Sequence, residues 1–151
     1  MNIAIAADHA GFPLKDRMIG IARNLGHEVT DLGTCSTDPV DYPDIARLVA
    51  EALQSGRAER AILICGSGIG ACVAAMIETG PTNTLVLMVL VLALAGDSYF
   101  DANVMCLGSR VIGASLAGEL VKTFLNAKFS GAERHVRRIG KIQEIEAERF
   151  R

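Results

Sequence analysis

Cys65 follows the apolar run Ala61, Ile62, Leu63, Ile64 and leads into Gly66, Ser67, Gly68, Ile69 and Gly70. A thiol at the tip of a buried strand, entering a glycine-rich turn, faces a cluster of backbone N–H groups. The small residues Ala71 to Ala75 continue the turn into a helix, whose amino end adds positive dipole. Such a setting lowers a thiol pKa, whereas a cysteine elsewhere in a core is an inert small hydrophobe. Asp8 and His9 end a second short apolar strand, Asn2 to Ala7; alone, the pair reads as a helix cap. Arg134, Arg137, Arg138 and Lys141 gather near the carboxyl end, and alone would be a solvated helix face. In combination, a base, a nest of N–H donors and several arginines suit a phosphorylated substrate with a carbonyl. A base can take the proton beside that carbonyl and return it to the neighbouring carbon, while fixed donors stabilise the enediolate. Arginines hold the phosphate and position the rest.

Two other chemistries fit poorly. GSGIG is not the GxGxxG dinucleotide fingerprint, and no acidic residue follows about 20 positions on to hold a ribose. With three histidines and no HExxH or CxxC spacing, no metal site is expected, and the isomerisation outlined above needs no cofactor.

The elements that must carry these residues alternate. The strand at Asn2 to Ala7 precedes a helix over Phe12 to Leu25, with apolar positions at Leu14, Met18, Ile21, Ala22 and Leu25. Glu28 to Leu32 alternates as a strand. Asp44 can cap a helix with Ile45, Leu48, Val49, Ala52 and Leu53 on its inner face. After the strand ending at Cys65 and its helix come a strand at Asn103 to Leu107, a helix at Leu116 to Leu125 and a longer one at Glu133 to Phe150. Strands alternating with helices predict an α/β fold with a parallel sheet covered on both faces. Residues 1–151 are read as one such domain. The misfit is Thr79 to Gly96, which carries no charge and includes eleven consecutive apolar residues from Leu85 to Ala95. The run is too short to span a bilayer. It is read as a fourth strand plus the start of a helix lacking a polar face.

Half of the 151 residues are hydrophobic and the net charge is −2, which argues for a globular chain and against nucleic acid as partner. Cys35, Cys65, Cys72 and Cys106 have no CxxC spacing, and Met1 runs straight into a strand. Free thiols in a cytoplasmic protein are expected, with no membrane partner.

AADHAGFPLK, the triplet Asp41-Tyr42-Pro43, ILICGSGIG, DANVMCLGSRVIG and ERHVRR resemble the type B ribose-5-phosphate isomerases, a family that includes the galactose-6-phosphate isomerase subunits. The resemblance implies a Rossmann-like three-layer α/β/α sandwich of about five strands. It also implies a homodimer, with pairing into a tetramer left open, and active sites drawn from both chains. By resemblance, Cys65 is the isomerising base used by one branch of the family, other members supplying a glutamate from elsewhere. Ser67 contacts the sugar, and the amides of Gly66, Gly68 and Gly70 stabilise the enediolate. Asp8, His9, Tyr42 and Asn103 correspond to substrate-contacting positions. Arg110, Arg134 and Arg138 correspond to substrate or phosphate binders, the last two reaching into the partner's site from a helix at about 133–150 that contacts it. The likeness lapses over about 76–100, as a local frame change or divergence would produce. Met76-Ile77 stands where the family has Asn-Lys, and Tyr99-Phe100 where it has a ring-opening histidine and usually an asparagine. The substrate is read as ribose 5-phosphate. A six-carbon sugar phosphate, such as galactose 6-phosphate or allose 6-phosphate, and a catalytically impaired phosphosugar-binding protein are the alternatives.

Overall fold

The computed structural model describes residues 1–79, 86–87, 97–98 and 101–149. Strand β1 (Asn2–Ala7) leads through α1 (Phe12–Asn24) to β2 (Glu28–Gly33), and α2 (Tyr42–Gln54) leads to β3 (Arg60–Cys65). Then follow α3 (Ile69–Thr79), β4 (Val86–Leu87), β5 (Asp97–Ser98), β6 (Val104–Gly108), α4 (Ala114–Asn126), β7 (Lys128–Phe129) and α5 (Glu133–Arg149). Five strands form a sheet in the order β2-β1-β3-β6-β4, all parallel. The expected three-layer α/β/α sandwich is the fold observed.

Strand alternation divides the core in two. Ile3, Ile5, Ile62, Ile64, Met105 and Leu107 face Leu14 and Met18 of α1 and Leu120, Val121 and Phe124 of α4. Ala4, Ala6, Leu63, Cys65 and Cys106 face Ile45 and Val49 of α2 and Ala71, Cys72 and Ala75 of α3. Each large apolar side chain removed from water contributes about 1.5–3 kcal/mol. Lys15 lies inside the sandwich at 1% exposure, its ammonium 2.6 Å from Asp31 Oδ1 and donating to Thr34 O at 2.7 Å. A buried lysine persists only when paired and hydrogen-bonded, and here it ties α1 to the segment leaving β2.

Several expectations shift. The second helix begins at Tyr42 rather than behind Asp44: Asp41 holds the cap position and Pro43 the first turn, where its missing N–H costs nothing. Asp44 sits within that turn, favoured by the dipole. Leu48, expected on the inner face, is exposed. The charge-free run supplies an edge strand, since Val86 and Leu87 pair with Val104 and Met105 of β6. Thr79 ends α3; 80–85, 88–96, the helix read into the run, and Tyr99 and Phe100 lie outside the described residues. A small parallel pairing of β5 with β7 has no sequence signal at two residues each. On α5, Val136, Ile142 and Ile145 are exposed.

Candidate active site

Chain order sets the location. From β1 the chain moves outward to β2, whereas from β3 it moves to the other half of the sheet, so the connections part between β1 and β3. In open α/β sheets such a parting leaves a crevice beyond the carboxyl ends of the two strands. Asp8 and His9 follow β1 there, and Cys65 ends β3. Asp8 Oδ1 accepts the N–H of Gly11 at 2.8 Å, closing the turn into α1. His9 Nδ1 lies 3.2 Å from Val40, which fixes the segment that delivers Tyr42. The Tyr42 ring lies over the start of α3, so close that a β-carbon on residue 70 would stand 2.8 Å from its Cζ. Glycine at that position is what lets the ring approach.

Cys65 is 3% exposed, and its Sγ accepts the N–H of Gly68 at 3.1 Å. Gly68 has φ 81°, which a residue with a side chain rarely adopts; that bend turns its N–H back onto the sulfur. The contact uses sulfur as an acceptor. Ser67 is exposed, and its Oγ accepts the N–H of Ile69 at 3.2 Å. The first turn of α3 leaves N–H groups without helical partners beside it. The exit of β6 is stitched to the exits of β3 and β1. Ser109 N–H donates to Cys65 O (2.9 Å), Arg110 N–H to Gly66 O (3.0 Å) and Ser109 Oγ to Ala10 O (2.7 Å). The stem of Arg110 runs beside Gly66. A cavity of about 500 Å³ borders this loop, lined among others by Ser67, Gly68, Cys106 and Val111. Cys65 itself does not line it.

A family model described as Ribose/Galactose Isomerase matches residues 3–142. The chain belongs to the ribose/galactose isomerase family. Ribose-5-phosphate isomerase B of Escherichia coli is 38% identical, over 98% of each chain. The structure of Clostridium thermocellum ribose-5-phosphate isomerase B superposes with a TM-score of 0.87 at 41% identity, covering 98% of this chain and 99% of the other. Ribose-5-phosphate isomerase B of Mycoplasma genitalium, solved with ribulose 5-phosphate bound, gives 0.83 at 38% identity, with 97% of each chain covered.

In this ribose/galactose isomerase family member one chain brings together Asp8, His9, Tyr42, Cys65, Gly66, Ser67, Gly68, Gly70 and Arg110. Three expected residues stand apart. Asn103 precedes β6, whereas Cys65 is level with Gly108 at the other end of that strand. Five residues of strand separate them by about 16 Å, so Asn103 cannot contact a molecule held at Cys65 of its own chain through a short side chain. Its expected role at this crevice is corrected accordingly. Arg134 and Arg138 project from exposed positions of α5, and no contact among the described residues joins them to Cys65. Two residues with positioning contacts escaped functional assignment. Lys15 and Ser109 both lie in the quoted motifs, but burial and the bond to Ala10 are not legible in a linear string. Among the described residues, no cluster of His, Cys, Asp or Glu could hold a metal ion, and no helix is long and apolar enough to cross a membrane.

Arg134 is held by its neighbour. Its Nε donates to His135 Nε2 at 3.1 Å, and His135 Nδ1 lies 2.6 Å from Ser130 Oγ. Nε2 must therefore be unprotonated, and burial, then Arg134 and Arg138, hold the His135 pKa below its usual 6.5. The folded state binds this proton less readily than the unfolded chain, so the contact's stabilisation is present above about pH 6.5 and lost as pH falls. Proton NMR is expected to give a His135 midpoint below that of free histidine, with the Arg134 Nε resonance shifting at the same midpoint. A midpoint above 6.5 would contradict the arrangement.

Proposed function

We propose that this sugar-phosphate isomerase interconverts ribose 5-phosphate and ribulose 5-phosphate through an enediolate, with Cys65 as the base. The observation that supports the reading best is the Cys65 sulfur at the sheet's parting point, accepting the Gly68 N–H and flanked by the turns carrying Asp8, His9 and Arg110. In the open-chain aldose, the Cys65 thiolate takes the proton from C2 as the electron pair moves toward the C1 carbonyl oxygen. The amides around Gly66 to Gly70 and the Ser67 hydroxyl meet the negative oxygens of the enediolate. A proton passes from the C2 hydroxyl to the C1 oxygen, and as the C2 carbonyl forms the thiol returns its proton to C1, leaving the ketose. Asp8, His9, Tyr42 and Arg110 line the sugar.

The phosphate needs more cation than Arg110 provides. Arg134 and Arg138, one helical turn apart on α5 and remote from their own Cys65, suit a homodimer in which each chain lends them to the other's crevice. The exposed apolar side of α5 fits such an interface. The protein then acts without a cofactor, in a cytoplasmic setting.

The test is turnover by the purified protein, following ribulose 5-phosphate by NMR with galactose 6-phosphate and allose 6-phosphate as comparison substrates. Formation of ribulose 5-phosphate is the expected result. Faster conversion of a six-carbon sugar would move the substrate assignment. Saturable ribose 5-phosphate binding without product would favour the binding-protein reading, which the Tyr99-Phe100 pair motivates.

A further inference from the structure

The order β2-β1-β3-β6 puts β3 between β1 and β6, and neighbouring strands stand about 4.8 Å apart. The turns leaving β1 and β6 are nevertheless joined, because Ser109 Oγ donates to Ala10 O at 2.7 Å. For a short hydroxyl to cross two strand spacings, both turns must lean over the end of β3, where Cys65 sits. Gly66 marks the space beneath them. A β-carbon there would stand 3.5 Å from Ala10 Cβ and 3.6 Å from Arg110 Cδ, so this glycine lies between the two turns.

The two limbs of the arch are held differently. The β6 limb is fixed by backbone, with Ser109 N–H on Cys65 O and Arg110 N–H on Gly66 O. Gly108 presses so closely on the glycine loop that a β-carbon at 108 would meet Ser67 O at 2.5 Å. The β1 limb is anchored at its start by Asp8 N–H on Ile64 O (3.0 Å), and then by the His9 ring against Val40. Its far end, Ala10, draws no donor from the helix that follows. Leu14 N–H bonds Gly11 O instead (3.0 Å), and Pro13 has no N–H to give. The Ser109 hydroxyl meets that carbonyl.

We propose that Ser109 is a positioning residue for the isomerisation, its hydroxyl holding the Asp8–His9 turn at a set distance from Cys65 and the glycine loop. The turn that lines the sugar then cannot drift from the strand that carries the base. Ser109 itself touches neither the sugar nor the sulfur; it acts through Ala10. A displacement of about 1 Å between a bound reactant and the group that acts on it can cost on the order of 10²-fold in rate, so a single hydroxyl at this joint has leverage on turnover. The effect on rate rests on the isomerase reading; the tie between the turns does not.

The experiment compares the full-length wild type with S109A and S109T by amide hydrogen exchange and by steady-state kinetics. The backbone bonds at 109 survive both substitutions, so the chain should fold. Gly11 N–H on Asp8 Oδ1 (2.8 Å) and Phe12 N–H on Asp8 O (2.9 Å) close the β1 turn. In S109A these two amides should exchange about tenfold faster or more, while the amides at 109 and 110 keep their wild-type rates. For ribose 5-phosphate, kcat should fall about tenfold or more with KM within about threefold, because the phosphate is gripped elsewhere. S109T keeps a hydroxyl and should regain most of both losses. Should its added methyl disturb the fold, the S109A exchange map and kinetics decide. Unchanged exchange at Gly11 and Phe12 would overturn the proposal, as would faster exchange spread equally over 109 and 110. A loosened turn with kcat within about threefold of wild type would overturn it too. The expected exchange pattern in a protein whose wild type isomerises nothing would sink the isomerase reading and leave the tie standing.

Discussion

Cys65→Ala is expected to lower kcat for ribose 5-phosphate by roughly 10²–10⁴-fold, the range lost with a positioned base, while changing KM little. The sulfur accepts a proton only in the reaction; phosphate and hydroxyl contacts that hold the ground state come from other residues, so binding should persist. The substitution removes one buried sulfur from a well-packed face, at a cost of about 1 kcal/mol, so the variant should fold. Cys65→Ser sharpens the point. Serine nearly preserves the shape, but a hydroxyl ionises far less readily than a thiol, so this variant should be close to the alanine one in rate. Steady-state kinetics beside circular-dichroism melts check both. A Cys65→Ala enzyme within threefold of wild type would remove the thiol from the chemistry.

Gly11→Ala should be the most damaging single-methyl change near the site. A β-carbon there would stand 2.4 Å from Ile64 O and 2.7 Å from the Ile64 carbonyl carbon. Both are backbone atoms of a central strand, so no rotamer change relieves the clash. The residue's own dihedrals, φ −82° and ψ −20°, are ones alanine adopts readily, so space alone opposes the substitution. Overpacking of this kind costs roughly 1–3 kcal/mol, a fall in Tm of about 3–10 °C for a chain this size. The turn must move off β3, taking Asp8 and His9 away from Cys65, so kcat/KM should fall as well. A thermal melt and kinetics on the same preparation test both halves. An unchanged melt would show that the turn has room to yield.

How much of this was legible in the sequence follows from the kind of signal each residue leaves. The run Ala61 to Ile64 and the glycines after it encode strand, turn and helix through local sterics, and that unit folds where expected. The period of Leu14, Met18 and Ala22 likewise places α1 against the sheet. Lys15 falls within that period too, yet nothing local reveals that Asp31 and Thr34 will meet its ammonium; its burial is a tertiary fact. Asn103 shows the limit of motif adjacency. It shares a short motif with Arg110, but a strand carries its two ends to opposite edges of the sheet. The uncharged run around Val86 has no period by which strand and helix can be told apart. The apolar side of α5 is plain in the sequence, while the homodimer proposed to cover it leaves no local mark there.

The most direct test is solvent deuterium exchange into ribose 5-phosphate and ribulose 5-phosphate, followed by NMR with wild-type protein and Cys65→Ala at equal occupancy. Wild type should introduce deuterium at the carbon beside the carbonyl as the sugars interconvert, and the alanine variant should bind the same sugars and leave those protons in place. Undiminished exchange by the variant would mean that a different group takes the proton, and Cys65 would be only a packed side chain.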